Sequence, residues 1–267
     1  THITNYLYTN NLVPNIDKTA YTIFPNPPPD YPITLTLRSV EIKHKTEIKL
    51  LGTYVQQDLK HDATIRHIIK KLNIETQSLR YAKQHLTTET LITQYHSRIY
   101  PHLIGCIPVK GTEHKNTTYL QPLVRTHKRI IRLISKTPHR THTQPLMTKH
   151  KLLRLNNLYI YRVAVEMHPH IHKTIHTNIP KHIHHYTPAS SIHRYPTRHA
   201  RSRRNYVPSN SKNQKNKMNP FAKRYSHIWN TIPERLRETK DIDPFKRKLK
   251  DYLLAKQAGF IIPDLLI

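Results

Sequence analysis

Thr46-Glu47-Ile48-Lys49-Leu50-Leu51-Gly52-Thr53-Tyr54-Val55-Gln56-Gln57-Asp58 is the stretch that decides how this chain folds. It reads as a short apolar strand that stops at Leu51-Gly52, with the strand signal spanning Ile48 to Val55, and then an acidic turn. A glycine at a strand turn lets the backbone come close to another group, because it carries no Cβ. Downstream, Ile65, Ile68/Ile69, Leu72, Leu79 and Leu86 fall at helical spacing between Asp62 and Leu86. Arg66, Lys70 and Lys71 flank that apolar stripe. A second helix is expected over Glu89 to Leu103, burying Leu91, Tyr95, Ile99 and Leu103, with Pro101 kinking or ending it.

The third helix, about Thr118 to Lys136, has the cleanest pattern. At 100° per residue, Leu120, Leu123, Val124, Ile130, Ile131 and Ile134 share one face. Arg125, Lys128, Arg129, Arg132 and Lys136 share the opposite face, and no acid interrupts them. Such a row attracts a phosphate backbone. The plainer reading is a solvated face on a basic protein.

Upstream of the deciding stretch, residues 1–13 read as the end of a helix and Ala20 to Phe24 as a strand. Pro25 to Pro29 is a stiff turn that neither a helix nor a central strand could hold. Ile33 to Arg38 and Ser39 to Lys45 alternate like a hairpin. Downstream, Thr143 to Met167 continues helical. Residues 168–219 are rich in His, Pro, Asn, Ser, Lys and Arg, and are expected to form an extended or disordered linker. Order is expected again over Phe221 to Ile232, and Asp243-Pro244 opens a last helix, Phe245 to Gln257. The fold class expected is therefore α+β: a small α/β part, then a mainly helical part, then a partly disordered basic tail.

Composition narrows the partners. Among 267 residues, 44 Lys+Arg stand against 16 Asp+Glu, a formal net charge of +28. Such an excess favours a polyanion, either nucleic acid or an anionic surface. One cysteine, Cys106, excludes an internal disulfide and any multi-cysteine zinc site, which fits a reducing compartment inside a cell, nucleus or cytoplasm. No apolar run reaches the roughly 18 residues of a membrane helix, so no membrane is expected as a partner. No signal peptide is visible. A chain opening on Thr1 is expected to be part of a longer translation.

Part of the charge has a second explanation. Gly (4), Asp+Glu (16), Ala (9) and Val (8) are all scarce, and their codons all begin with G. We hypothesise a G-poor coding strand, which removes acids without selection for binding; ordinary G content in the gene would refute this. The same bias accounts for 22 histidines. His168, His170, His172 and His176, then His182, His184 and His185, form a tract of a kind that binds metal elsewhere. With Glu166 the nearest carboxylate and no cysteine beside it, no metal site is assigned. No Ser/His/Asp arrangement, phosphate-cradling glycine loop or paired carboxylate stands out.

Two sets of segments carry a family resemblance over nearly the whole chain. Asn11-Leu12-Val13-Pro14-Asn15-Ile16-Asp17-Lys18-Thr19, then Leu50-Leu51-Gly52, then Tyr100-Pro101-His102-Leu103-Ile104-Gly105 with Gly111, form the first. His193-Arg194-Tyr195-Pro196-Thr197-Arg198, then Ser226-His227-Ile228-Trp229-Asn230-Thr231-Ile232-Pro233, then Phe245-Lys246-Arg247-Lys248-Leu249-Lys250-Asp251-Tyr252-Leu253, form the second, in the C-terminal third. In this order they resemble the end of the palm, the thumb and the downstream tail of non-LTR retrotransposon reverse transcriptases of the jockey/LINE type. Ile104 and Lys110 stand where that family has an aromatic and a tryptophan, and Pro14 where it has an aliphatic, which suggests a divergent or decaying copy.

The resemblance implies an RNA-directed DNA polymerase that uses Mg²⁺, with RNA and DNA as partners. It implies residues 1–57 as the end of the palm, 58–167 as a helical thumb, 168–219 as a basic linker and 220–267 as a helical tail. Lys18 would protonate departing pyrophosphate, a sound role for a positioned lysine. Leu51 and Gly52 would form a primer grip. Arg194, Arg198, Arg201, Arg203 and Arg204, with Tyr195 and Tyr206 among them, would suit a single strand through phosphate contact and base stacking. The catalytic aspartates of a Y/F-x-D-D motif are not in these 267 residues and would lie before Thr1. The chain alone is then expected to bind no cofactor and to be inactive. Two other readings stay open: a non-catalytic nucleic-acid-binding protein derived from such an element, and a helical interaction module or remnant without function.

Overall fold

Helix α1 (His2–Thr9) ends on Asn11, whose φ of 52° places it in the left-handed region. A 3-10 turn (Ile16–Lys18) follows, capped by the Asn15 side chain, which accepts from the Lys18 backbone N–H at 3.1 Å. Short strands come next: β1 (Ala20–Tyr21), β2 (Thr36–Leu37), β3 (Val40–Glu41) and β4 (Lys43–His44). β1 pairs with β4 in parallel, and β2 with β3 antiparallel. This is a computed structural model, and it describes residues 2–24, 34–37, 40–50, 52–58, 62–110, 120–172, 186–188, 206–208 and 220–259.

Gly52 then reverses the chain. Strand β5 (Glu47–Leu50) pairs antiparallel with β6 (Thr53–Gln56), and Leu50 faces Thr53 across a two-residue turn. Gly52 sits at φ 82°, where a side chain would be strained. The single strand expected over Ile48 to Val55 is thus a hairpin, because the glycine that stops one strand also starts the next. β6 is tied to the start of α2 (Asp62–His85). The Thr64 hydroxyl, fully buried, donates to the Tyr54 carbonyl at 2.9 Å and accepts from its N–H at 3.0 Å. The Gln56 side chain accepts from the Ala63 N–H at 3.2 Å, serving one of the donors that a helix start leaves open.

Two compact units emerge: Thr1–Ile74 with Thr117–Leu123, and Glu75–Asn116 with Val124–Ile267. The first buries Ile65, Ile68 and Leu72 of α2. In the second, α3 (Thr88–Gln94) runs into a π turn (Tyr95–Ile99) and then α4 (Tyr100–Lys110). Pro101 therefore does not end the helix. It has no N–H to give and its ring crowds the carbonyl four residues back. The wider turn absorbs this: the Tyr100 N–H reaches back to the Tyr95 carbonyl, and the helix continues.

Next come α5 (Gln121–Ile134), α6 (Thr143–Lys149) and α7 (Leu155–Ile171). The single helix expected from Thr143 is broken at Lys151. α6 ends in a Schellman motif, with Leu152 N–H to the Met147 carbonyl at 2.8 Å and Lys151 N–H to Thr148 at 3.1 Å. Lys151 takes the left-handed position at φ 53°. α5 ends the same way on Lys136, also at φ 53°. Glycine is preferred there, and two lysines take the place.

α7 also runs past the expected linker start at residue 168. His168 and Pro169 are buried, because α8 (Pro220–Asn230) and α10 (Ile242–Ala258) pack on α7, as α4 does. A short helix, α9 (Glu234–Arg237), links α8 to α10. Within 168–219, two strands, β7 (Tyr186–Pro188) and β8 (Tyr206–Pro208), pair antiparallel. The sheets are small and helices dominate, so the chain is mixed α and β, as expected from its sequence. No helix of the described residues is long and apolar enough to cross a membrane.

A polar clasp holds α10 down. Gln257 is 4% exposed. Its side-chain oxygen accepts from the Arg154 N–H at 2.8 Å, and its amide donates to the Leu152 carbonyl at 3.1 Å. Its backbone carbonyl accepts from Gln144 at 2.7 Å and from the Arg154 guanidinium at 3.1 Å. Gln257→Ala leaves a buried N–H and a buried carbonyl unsatisfied, and should cost about 2 kcal/mol in a urea titration. An unchanged midpoint would show that water replaces the amide.

Candidate nucleic-acid interface

α5 has the composition such an interface needs. Its buried side consists of Leu123, Thr126, His127, Ile130, Ile131 and Ile134, at three- and four-residue spacing. Thr126 and His127 are polar residues that the sequence reading assigned to neither face; the same 100° spacing puts His127 within the apolar arc and Thr126 at its edge. Arg125, Lys128 and Lys136 are exposed, and Arg129 and Arg132 are half-buried. Arg132 is partly committed: its Nε donates to the Thr141 carbonyl at 2.7 Å, closing the loop after α5. The three exposed cations are the ones free to meet phosphate without cost to the fold.

The surrounding sequence strengthens the row. No Asp or Glu occurs between Glu113 and Glu166, a run that takes in α5, α6 and most of α7. Lys149, exposed at the end of α6, and Arg154 before α7 fall within it. This acid-free span was the signal that could have extended the candidate set beyond one helix.

His127 holds α5 in place from within. Its Nε2 lies 2.9 Å from the Tyr95 hydroxyl, and the two rings stack at 5.9 Å. Burial pushes the His127 pKa down to about 4, so the ring is neutral at pH 7. Burial pushes the Tyr95 phenol the other way, well above its ordinary value. The pair is therefore a neutral hydrogen bond inside the core, and the positive charge of α5 stays on its outer face.

The remaining candidates are dispersed. Arg66 is exposed but ion-paired with Asp62 one turn earlier; Lys70 is exposed and Lys71 half-buried. These three belong to the first unit and the α5 cations to the second. Lys18 is exposed at the end of the 3-10 turn. Gly52 lies at the hairpin turn, while Leu51 lies outside the described residues. Arg194, Arg198, Arg201, Arg203 and Arg204 also lie outside the described residues.

His168 of α7 and His172 at its C-terminal cap are used structurally. The His168 Nε2 is 2.7 Å from the Thr239 carbonyl, and the His172 Nε2 is 2.9 Å from the Arg237 carbonyl. A carbonyl only accepts, so both rings carry their proton on Nε2. They fasten the segment between α9 and α10 to α7. Among the described residues, no three His, Cys, Asp or Glu side chains gather where a metal could be held.

No protein-family model, no curated protein and no solved structure matches this chain.

Proposed function

We propose that this chain grips a nucleic acid through its phosphate backbone, as the thumb-bearing part of a non-LTR retrotransposon reverse transcriptase would. The observation that carries the reading is the outer face of α5, where Arg125 and Lys128 stand exposed, with Lys136 exposed just past the helix end, in an acid-free stretch. Supporting it are the ordered sequence runs from Asn11 to Leu253 and a hairpin at Gly52 leading directly into helices. Phosphate contacts fix affinity and register but read no sequence, so the grip is sequence-tolerant. The chain contains no adjacent aspartate pair. Two-metal phosphoryl transfer needs carboxylates, so the proposed role of these residues is holding primer–template rather than extending it. A non-catalytic binding protein derived from such an element would use the same face.

The test is filter binding of a labelled RNA–DNA hybrid to the full chain across a salt series. Three to four phosphate contacts should give a slope of roughly −3 in log affinity against log salt. The triple variant Arg125→Glu, Lys128→Glu, Lys136→Glu should weaken binding about a hundredfold at low salt while leaving the helical circular dichroism unchanged. Arg132 is left alone because it holds the loop at Thr141. Salt-independent binding, or an unaffected triple variant, would refute the interface and favour a helical module whose charge is compositional.

A further inference from the structure

The π turn opens a pocket within the second unit. Its volume is about 160 Å³. Leu152, Leu153 and Leu158 make the apolar floor, all less than 5% exposed. Tyr95, Tyr100 and Tyr161 supply aromatic wall, with His96 edge-on to Tyr100 at 5.5 Å. Lys151, exposed, and Lys250, half-buried, complete the lining.

The widened turn is what places these rings together. It separates Tyr95 and Tyr100 by one residue more than an α-turn, with their backbones hydrogen-bonded and their ring centroids 6.4 Å apart. π turns of this kind recur at functional sites.

The lining has cations but no carboxylate. Asp243 is the acid felt by Tyr161, and it is already paired with Lys246 at 3.1 Å. Arg162 adds a further positive charge near Tyr100. Burial pushes the Tyr100 phenol up to about 12 and, with Lys250 nearby, holds His96 below its ordinary value. Both are therefore neutral hydrogen-bonding groups at pH 7, and the lysines are the charge. Lys151 adds an independent observation: it keeps a left-handed backbone that glycine would take with less strain, and it lines this pocket.

Size then selects the ligand. A cavity of about 150 Å³ takes a benzene-sized ring, so the pocket suits one flat ring system rather than a whole nucleotide. A flat aromatic base fits the leucine and tyrosine walls, with its anion left outside, where the lysines are. We infer that this pocket takes one unpaired nucleotide of a nucleic-acid strand, its base between Tyr100 and Leu158 and its phosphate on Lys151 and Lys250. This rests on the nucleic-acid reading given above and names a second contact for it.

Adenosine 5′-monophosphate, adenosine and inorganic phosphate are the probes, titrated into the full chain and followed by saturation-transfer NMR. The monophosphate should bind saturably at millimolar concentration or below, adenosine more weakly, and phosphate weakest. Lys151→Gly with Lys250→Ala should weaken the monophosphate about tenfold, to the level of adenosine. Lys151→Gly relieves backbone strain, and an unchanged urea midpoint for the double variant would show that its loss of binding does not come from unfolding. Tyr100→Leu keeps the apolar volume and should weaken both adenosine compounds about tenfold. No saturable monophosphate binding, or full binding by the double lysine variant, overturns the pocket. If the monophosphate binds as expected while the α5 triple variant still holds the hybrid, the pocket stands and the α5 interface falls. The reverse pattern overturns the pocket alone.

Discussion

Trp229→Ala should remove about 3–5 kcal/mol from the second unit, a large part of what holds a domain of this size together. Trp229 is 0% exposed. Its ring lies 5.8 Å from that of Phe245 and 6.4 Å from that of His168, and His168 stacks on Phe245 at 4.3 Å. The indole thus sits where α7, α8 and α10 meet. Removing so large a buried ring combines lost apolar transfer with a cavity term. Trp229→Phe keeps an aromatic ring and should cost less than half as much. Urea titrations followed by far-UV circular dichroism measure both. A loss under about 1 kcal/mol for the alanine variant would mean that the three helices hold together without this anchor.

Acid should weaken the same unit by about 3 kcal/mol between pH 6.5 and pH 4. The source is His127, whose folded pKa is near 4 against an ordinary value of 6.5. Above pH 6.5 the ring is neutral both folded and unfolded, and it contributes no pH dependence. As pH falls below 6.5, the unfolded chain takes up the proton and the folded chain does not. Stability therefore falls with pH until the folded pKa is reached. Burial also depresses His168, which adds loss in the same direction. The double variant Tyr95→Phe, His127→Phe replaces the pair by apolar rings of similar shape. It should be close to neutral at pH 7 and should flatten the pH profile by about the His127 contribution. A wild-type urea midpoint that stays constant from pH 7 to pH 4.5 would contradict the buried neutral histidine.

These two predictions show what the sequence made legible. Trp229, Phe245 and Leu249 are apolar residues in helical register, and periodicity is enough to place them in a core. The same holds for Ile130, Ile131 and Ile134 on α5, and α2 begins at Asp62 as its pattern predicts. Of the five cations expected opposite them, Arg125 and Lys128 are exposed on α5, Arg129 and Arg132 are half-buried, and Lys136 falls past the helix end. What His127 and His168 pair with did not follow, because nothing local distinguishes a histidine paired with a buried tyrosine or a distant carbonyl from one of many in a His-rich composition. Their partners lie 32 and 71 residues away.

The helix breaks were illegible for a different reason. Lys151 ends α6 through backbone geometry that glycine normally signals, and this chain has only four glycines. Pro101 is an ordinary stop signal that the π turn overrides, since Tyr95 and Ile99 on one side and Leu103 on the other are all buried. Tertiary packing there outweighs local preference. The pocket was illegible as well, since its walls come from four separated segments.

The chain has a single indole, and it lies at the heart of the second unit. Its emission should be blue-shifted and insensitive to iodide, and it reports on one unit only. The first unit contributes tyrosines such as Tyr21 and Tyr54, with no tryptophan among its residues. Heating followed at the indole emission maximum therefore watches the second unit melt, whereas the amide signal sums both. Coincident curves would mean that the two units melt in one step, and separated curves that one unit is lost while the other still stands.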